Sequence, residues 1–325
     1  MQQRITNNAG LDLAAAVWLA TDEYTYDTRP NYISVTTLIK PIRQTVLARR
    51  VPLEERTVDL LDRVKSSIGH VLHRGIEHSW KEHYRSSLAK LGFPKRVIDA
   101  VRINPEEIEP DTIPVFTEFR SEKEVAGFIV SGQVDLIIDW RLRDAKSTTV
   151  WAYQSQKSVE GWKLQGSIYR WLNPEKVTHD ELLIQYLLLD WSSAESKRTP
   201  GYPPHAVPVR SITLMSVQET DQWIRNRLSL LKQYMDAPDH EIPECNEDEL
   251  WRSEPVYKYY ANVNATGRST KNFDNALAAR QFMAEKGGKG RVDMVPGTVK
   301  ACLYCAAFSV CKQKDRLIAD GSLLI

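Results

Sequence analysis

Apolar residues recur every three or four positions over residues 58–91, a spacing that predicts one long amphipathic helix. The recurring residues are Leu60, Leu61, Val64, Ile68, Val71, Leu72, Ile76 and Trp80. The same period predicts helices over residues 11–20, 159–172, 218–235 and 273–286. Ser34 or Thr36 is expected to cap a further short helix that ends near Pro41.

Segments rich in β-branched and aromatic residues predict strands over residues 115–119, 126–138 and 143–147. Their close spacing favours an antiparallel meander. Residues 181–190 form an almost continuous apolar run, typical of a strand buried on both faces, and residues 207–215 predict another strand. Because helices precede and follow these strands, we expect an α/β fold with a central mixed sheet flanked by helices.

Composition limits the function classes without selecting one. The 325 residues are 42% hydrophobic and 26% charged, with a net charge of +1, so bulk charge does not demand a nucleic-acid partner. With no apolar run long enough to span a bilayer and no signal-peptide pattern, we expect a cytoplasmic protein without a membrane partner. We divide the chain into an N-terminal segment (1–57), a core domain (58–240) and a Cys-rich subdomain packing on the core (241–325).

The stretch from Gly132 to Lys146 carries the main chemical signal. Asp135 lies within an apolar run, and Asp144 and Lys146 stand two residues apart, so on a strand they share one face while Ala145 points to the other. Two carboxylates beside one lysine suit a hard cation and metal-assisted hydrolysis. The alternative is a surface salt bridge beside a hairpin.

Cysteines form the second signal, because all four lie in the last quarter of the chain: Cys245, Cys302, Cys305 and Cys311. A Cys-x-x-Cys pair is the local clip of both zinc sites and iron-sulfur clusters. Free buried thiols are the third interpretation.

The order of these motifs resembles that of the RecB-like exonuclease branch of the PD-(D/E)xK nuclease superfamily. A Gly69-x-x-x-His73-x-x-x-Glu77 helix comes first, followed by Gly-x-x-Asp and Asp-x-Lys strands and a Gln165-x-x-x-Tyr169 helix. The match covers about residues 30–235, and the Cys-rich tail extends it. The resemblance implies a restriction-endonuclease-like core.

The resemblance also implies roles for individual residues. His73, Asp135, Asp144 and the backbone carbonyl of Ala145 would hold Mg²⁺ or Mn²⁺. Lys146 would position and polarise the attacking water. Gln165, and also Tyr169, would orient Lys146 and the DNA end.

The function implied is a Mg²⁺-dependent deoxyribonuclease, an exonuclease that processes DNA ends for recombination or repair. Its partners would be duplex or single-stranded DNA ends and a single-strand annealing or recombination protein. Phage-borne relatives imply a phage-encoded protein in a bacterial host. The alternatives are a structure-selective endonuclease and a non-catalytic DNA-binding subunit with the same fold.

Two features depart from the family pattern. Only eight residues separate Asp135 from Asp144, so Asp139 competes with Asp135 as the first carboxylate. Family members with a 4Fe-4S cluster carry a cysteine near the N-terminal segment, where this chain has Lys40-Pro41. The resemblance then leaves Cys245 as the fourth ligand of a 4Fe-4S cluster, with structural zinc as the alternative.

Overall fold

The computed structural model describes residues 4–22, 27–52 and 55–325. Parts of the expected N-terminal segment, residues 1–3, 23–26 and 53–54, lie outside the described residues. The strands are β1 (Arg4–Thr6), β2 (Tyr32–Ser34), β3 (Thr57–Asp59), β4 (Val101–Ile103), β5 (Ile113–Val125), β6 (Phe128–Ile138), β7 (Arg141–Thr148), β8 (Glu181–Leu188), β9 (Val209–Thr213), β10 (Val256–Tyr260), β11 (Lys271–Phe273) and β12 (Arg291–Val295). The helices are α1 (Leu13–Ala20), α2 (Val35–Leu38), α3 (Ile42–Ala48), α4 (Leu60–His78), α5 (Tyr84–Lys90), α6 (Lys95–Ala100), α7 (Val150–Ser155), α8 (Val159–Leu172), α9 (Ser193–Arg198), α10 (Val217–Tyr234), α11 (Ala276–Glu285) and α12 (Lys312–Ala319).

The chain divides into two compact units, residues 1–40 with 57–230 and residues 41–56 with 231–325. The first unit contains a seven-stranded sheet in the order β4-β5-β6-β7-β8-β9, with β2 paired to β6. The pairs β4–β5, β7–β8 and β2–β6 are parallel, and the others are antiparallel. The predicted α/β fold with a central mixed sheet flanked by helices is therefore confirmed. The predicted boundaries after residues 57 and 240 stay predictions.

The core of the first unit lies between the sheet and helix α8. Val134, Ile137, Leu142, Leu182 and Ile184 are each no more than 2% exposed and belong to one apolar cluster. Fully burying each of these side chains stabilises the fold by roughly 1.5–3 kcal/mol. Gly166 on α8 lets the helix approach, because a Cβ there would lie 2.9 Å from Leu182.

Two sequence predictions change in detail. The long helix of residues 58–91 contains a π turn at Ser79–His83 between α4 and α5, and the Ser79 hydroxyl donates to the Gly75 carbonyl. Strand β8 was expected to be buried on both faces, which is wrong. Its residues alternate between buried and partly exposed positions, because one face meets the core and the other borders an open cleft that Gln185 lines.

The second unit contains a three-stranded antiparallel sheet, β11-β10-β12, and the short helices of the Cys-containing tail. A small apolar cluster of Leu250, Val299, Leu317 and Leu323 forms its core near the cysteines. Helix α3 belongs to this unit although it precedes the sheet of the first unit in sequence. No helix in the described ranges is long and apolar enough to cross a membrane.

Candidate active site

The hairpin formed by β6 and β7 carries both sequence-predicted aspartates. Its strands pair from Ile138 opposite Arg141, leaving a two-residue turn at Asp139 and Trp140. Both turn residues have positive φ, 51° and 62°, as a type I′ turn requires. Asp139 therefore occupies the tip of the hairpin, which explains how eight intervening residues suffice to bring Asp135 and Asp144 together.

The regular alternation of β5 and β6 is interrupted at the level of Asp135. Phe116 and Phe119 are three residues apart yet their rings lie 5.6 Å apart on one face. Val134 and Ile137, also three apart, share the same core cluster. In a regular strand, residues three apart point to opposite faces. Each strand therefore holds one additional residue here, Glu118 on β5 and Asp135 on β6.

Glu118 shows the local cost of this interruption, because its φ of 49° is in the left-handed region. The ladder continues on both sides in the same register, with Thr117 opposite Leu136 and Phe119 opposite Val134. A non-glycine residue with this φ stores about 1–2 kcal/mol of strain. The interruption turns both carboxylates toward the cleft instead of the core.

Helix α4 and strand β7 complete an acidic cluster around Asp135. His73 Nδ1 lies 3.2 Å from Asp135 Oδ2, and Lys146 Nζ lies 2.8 Å from Asp144 Oδ2. Ligand atoms of His73, Asp135 and Asp144 all lie within 4.8 Å of one another. Asp144 and Lys146 therefore share one face of β7, as the Asp-x-Lys spacing predicts. Among the described residues this is the group of metal-ligand type that converges, and Asp139 is not a member.

The electrostatics of the cluster are dominated by burial. Burial raises the pKa of Asp144 to about 7, although the Lys146 ammonium acts in the opposite direction. Burial acts to raise the pKa of Asp135, but the hydrogen bond and charge of His73 together with the nearby Lys146 charge hold that pKa below its ordinary value. The same hydrogen bond raises the pKa of His73. Asp135 therefore ionises readily, whereas Asp144 resists ionisation.

One buried oxygen of Asp144 tests whether the cluster fits a cation. Within the described part of the chain, Oδ1 of Asp144 is buried and has no hydrogen-bond partner. A buried carboxylate oxygen without a donor costs about 1–3 kcal/mol or more unless a cation compensates it. Two carboxylates and an imidazole are a donor set that divalent cations accept. The residues present therefore fit the implied Mg²⁺ or Mn²⁺.

Helix α8 contributes Gln165 and Tyr169 to a small cavity beside the two aspartates. Within the described residues, the Gln165 amide N–H donates to the Tyr169 hydroxyl at 2.9 Å, and no hydrogen bond joins Gln165 to Lys146. Gly132 makes room for the tyrosine, because a Cβ there would lie 2.8 Å from the Tyr169 ring and 2.9 Å from Val35. The Gly-x-x-Asp motif thus has a packing role next to its acidic residue.

The cluster opens into a cleft of about 630 Å³ between α4 and the sheet. Its wall includes His73, Ser79, Trp80, Ala145 and Gln185. Ala145 is buried in the β7–β8 ladder opposite Gln185. The cleft gives a substrate access to the aspartates from the helix side.

Glu118 is the cleft residue that sequence reasoning missed. Its pKa is raised by burial and then by the nearby Asp135 charge, while Gln133 donates to its Oε2 at 2.5 Å. The detectable signal was the three-residue spacing of Phe116 and Phe119, which breaks the period of two. Glu118 adds a third carboxylate to the negative side of the cleft.

The four cysteines lie in the second unit and are all partly exposed. Burial, followed by Glu249 and the other three thiols, raises the pKa of Cys245 to about 12, so the four groups are close enough to interact electrostatically. Four thiolates can hold either a structural zinc ion or an iron-sulfur cluster.

Two buried side chains fix the surroundings of the cysteines. Gln313 accepts from the Cys245 amide at 2.9 Å and donates to the Cys245 carbonyl at 2.8 Å. Arg43, with a side chain only 2% exposed, donates to Cys311 Sγ at 3.3 Å and pairs with Asp239 at 2.5 Å. An arginine from α3 therefore contacts one of the cysteines, Cys311. No sequence pattern distinguished Arg43 from its surface neighbours.

Comparison with known proteins yields little support for a family assignment. No protein-family model matches the chain, and neither does any curated protein. The crystal structure of SSO0001 is similar over 69% of this chain and 86% of that chain, with 14% identity and a TM-score of 0.39. A phage-related exonuclease from Haemophilus somnus 129PT is similar over 38% of this chain and 60% of that chain, with 16% identity and a TM-score of 0.26. TM-scores of this size establish neither a shared fold nor a shared function.

Proposed function

We propose that the chain is a metal-dependent phosphodiester hydrolase that degrades DNA from its ends. The observation that carries the proposal is the convergence of His73, Asp135 and Asp144 with Lys146 beside them. The resemblance of the motif order to RecB-like exonucleases supports DNA as the substrate. Recombination or repair and a single-strand annealing partner rest on that resemblance alone.

In this proposal His73, Asp135, Asp144 and the Ala145 carbonyl would hold Mg²⁺ or Mn²⁺, which would supply an activated water and neutralise charge on the phosphate. Lys146 carries the second positive charge of the site, and its ammonium is held at Asp144, two residues away on the same strand face. Because that ammonium is partly buried, its charge is screened less than in water and can stabilise the pentavalent phosphate.

Gln165 and Tyr169 act as positioning residues. Tyr169 is held by the Gln165 amide and by the space above Gly132, so its ring has one orientation in the cavity. Burial raises the pKa of the Tyr169 hydroxyl, which therefore stays protonated and donates a hydrogen bond. A neutral donor beside two aspartates suits a DNA end that carries phosphate oxygens.

The test compares end-labelled linear DNA with a closed circle in the presence of Mg²⁺. Wild-type protein should degrade the linear DNA and spare the circle, and Lys146→Gln should lose at least about 100-fold in rate. The exposed Lys157→Gln serves as a control of equal charge change. Cleavage of the circle would indicate the endonuclease, and binding without cleavage would indicate the non-catalytic subunit. Undiminished activity of Lys146→Gln would refute the assigned role of the lysine.

We further propose that the four cysteines bind a 4Fe-4S cluster, because soft thiolates suit iron and the Cys302-x-x-Cys305 pair is a local clip that such clusters use. The supporting residue is Arg43, whose guanidinium offsets part of the negative charge at Cys311. Protein purified without air should contain iron and show broad visible absorbance that Cys302→Ser removes. Zinc in place of iron would contradict the cluster, and neither metal would support free thiols.

A further inference from the structure

The segment of residues 256–295 forms a small substructure of its own within the second unit, which we call the tail sheet. It consists of β10, β11 and β12 with helix α11 packed on one face. The Phe282 ring of the helix contacts Tyr259 and Phe273 of the sheet, with each centroid pair 5.3 Å apart. Ala279 is fully buried in the same layer. The tail sheet is therefore packed on an aromatic core and presents defined surfaces.

The tail sheet has an excess of positive over negative side chains. Its residues include seven cationic side chains against three acidic ones, a net charge of +4, whereas the remainder of the chain carries a net charge of −3. The cationic residues are Lys258, Arg268, Lys271, Arg280, Lys286, Lys289 and Arg291. The near-neutral total of the chain thus conceals a basic segment.

Three lysines of the tail sheet are exposed and available. In the described part of the chain, Arg291 is paired with Asp293 at 2.9 Å, but Lys271, Lys286 and Lys289 take part in no ion pair. The ammonium groups of these three lysines are therefore available to a negatively charged ligand.

Two of these lysines, Lys271 and Lys286, also lie close together. Lys271 Nζ lies 4.6 Å from the Phe282 ring centroid and Lys286 Nζ lies 5.4 Å from the same centroid, so the two ammonium groups are within 10 Å of each other. Cation–π contacts of this kind are worth about 0.5–1 kcal/mol at exposed sites. They restrict both side chains before any ligand binds.

The loop that carries Lys289 is fixed as well. The Tyr259 hydroxyl donates to the Lys289 carbonyl at 2.9 Å. Gly290 has a φ of 96° and lies against the backbone carbonyl of Tyr260, where a Cβ would collide. These contacts hold the glycine-rich connection between α11 and β12 against β10, so the backbone at Lys289 has a fixed position.

We infer that the tail sheet binds the phosphate backbone of DNA through Lys271, Lys286 and Lys289, outside the acidic cluster. The inference rests on the proposed function for its choice of polyanion. Duplex DNA carries one negative charge per about 1.7 Å of its axis, so lysines within 10 Å of each other can each meet a phosphate. Backbone contacts carry no base specificity, which suits an enzyme that must advance along any sequence.

The test measures binding without catalysis. Fluorescence anisotropy with a short labelled duplex, in EDTA, gives Kd for the full chain across about 50 to 200 mM salt. The variant is Lys271→Gln/Lys286→Gln/Lys289→Gln, and the control is Lys90→Gln/Lys197→Gln/Lys232→Gln, which removes the same charge elsewhere. The first variant should raise Kd at least about 10-fold and lower the slope of log K against log salt by about 2 to 3. The control should change Kd less than about 3-fold.

Equal weakening by both triple variants would overturn the inference, because binding would then depend on net charge alone. Polyglutamate that displaces the duplex as well as unlabelled DNA does would likewise overturn it. Circular dichroism of the variants checks that the fold is retained. If the triple variant misfolds, Lys286→Gln alone still tests the inference and should raise Kd about 2- to 3-fold. Since no divalent metal is present, the binding result is independent of nuclease activity, and either proposal can fail without the other.

Discussion

Replacing Asp144 with asparagine separates the charge of this side chain from its shape. The asparagine oxygen can still accept from Lys146, whose ammonium lies 2.8 Å from Asp144 Oδ2. The difference in free energy of unfolding between wild type and Asp144→Asn therefore reports the cost of ionising the buried carboxyl group.

The magnitude follows from the burial of Asp144, whose side chain is 9% exposed. Burial raises its pKa from 3.8 to about 7. Each unit is worth about 1.4 kcal/mol, so the metal-free fold is less stable by about 4 kcal/mol at high pH than at low pH. Because the folded-state pKa lies above the unfolded value, this stability is present at low pH and is lost as the pH rises to about 7. Roughly 2–3 kcal/mol of the loss falls between about pH 5 and pH 8.

The assay is urea unfolding in EDTA at about pH 5 and pH 8 for wild type, Asp144→Asn and the control Asp139→Asn. Asp139 lies in the hairpin turn at a φ of 51°, which asparagine accepts as readily, so the control should follow wild type. His73 contributes to the pH dependence of every chain, so the differences between chains are compared. Mg²⁺ or Mn²⁺ at 100 times its Kd should stabilise wild type at pH 8 by about 2.7 kcal/mol and Asp144→Asn much less. The same pH dependence in wild type and Asp144→Asn would refute the reasoning.

Two further predictions concern stability, measured by urea unfolding. Gly132→Ala should destabilise the fold by about 1–3 kcal/mol, because its Cβ would overlap the Tyr169 ring. Gly161→Ala on helix α8 is the control: its Cβ would meet no atom within 4 Å, so it should be neutral or stabilise the fold by up to about 1 kcal/mol. Equal effects of the two substitutions would contradict the packing argument. Arg43→Met should lower the free energy of unfolding by about 3–5 kcal/mol, because it leaves the Asp239 carboxylate without its buried partner. The exposed Arg49→Met is the control and should change it by no more than about 0.5 kcal/mol. A loss below about 1 kcal/mol for Arg43→Met would show that the ion pair does not stabilise the fold.

The periodic elements of the first unit could be predicted because their patterns are local. The spacing of Leu60, Val64 and Ile68 marks α4, and the two-residue interval between Asp144 and Lys146 places both on one strand face. Such signals depend on one element at a time, so they do not require knowledge of the fold.

The π turn at Ser79–His83 could not be predicted, because it keeps the apolar spacing of a helix and changes only its phase. Features that depend on two elements could not be predicted from local patterns either. Arg43 and Cys311 are 268 residues apart, and nothing in the sequence near either residue indicates the other. Strands β11 and β12 are short and flanked by polar and glycine residues, so they depend on pairing with β10.

The additional residues on β5 and β6, Glu118 and Asp135, carry side chains of the site but are not needed for the pairing of the two strands. Register is the same before and after Glu118 and Asp135, so deleting both residues together would join two regular ladders without moving any apolar side chain to the wrong face. Deleting only one would leave the other as a single-residue β-bulge. Glu118 and Asp135 therefore behave as a matched insertion, and the chain could keep its fold while losing the first carboxylate. The sheet does not need this site in order to exist, and the strain at Glu118 is a cost carried by the site alone.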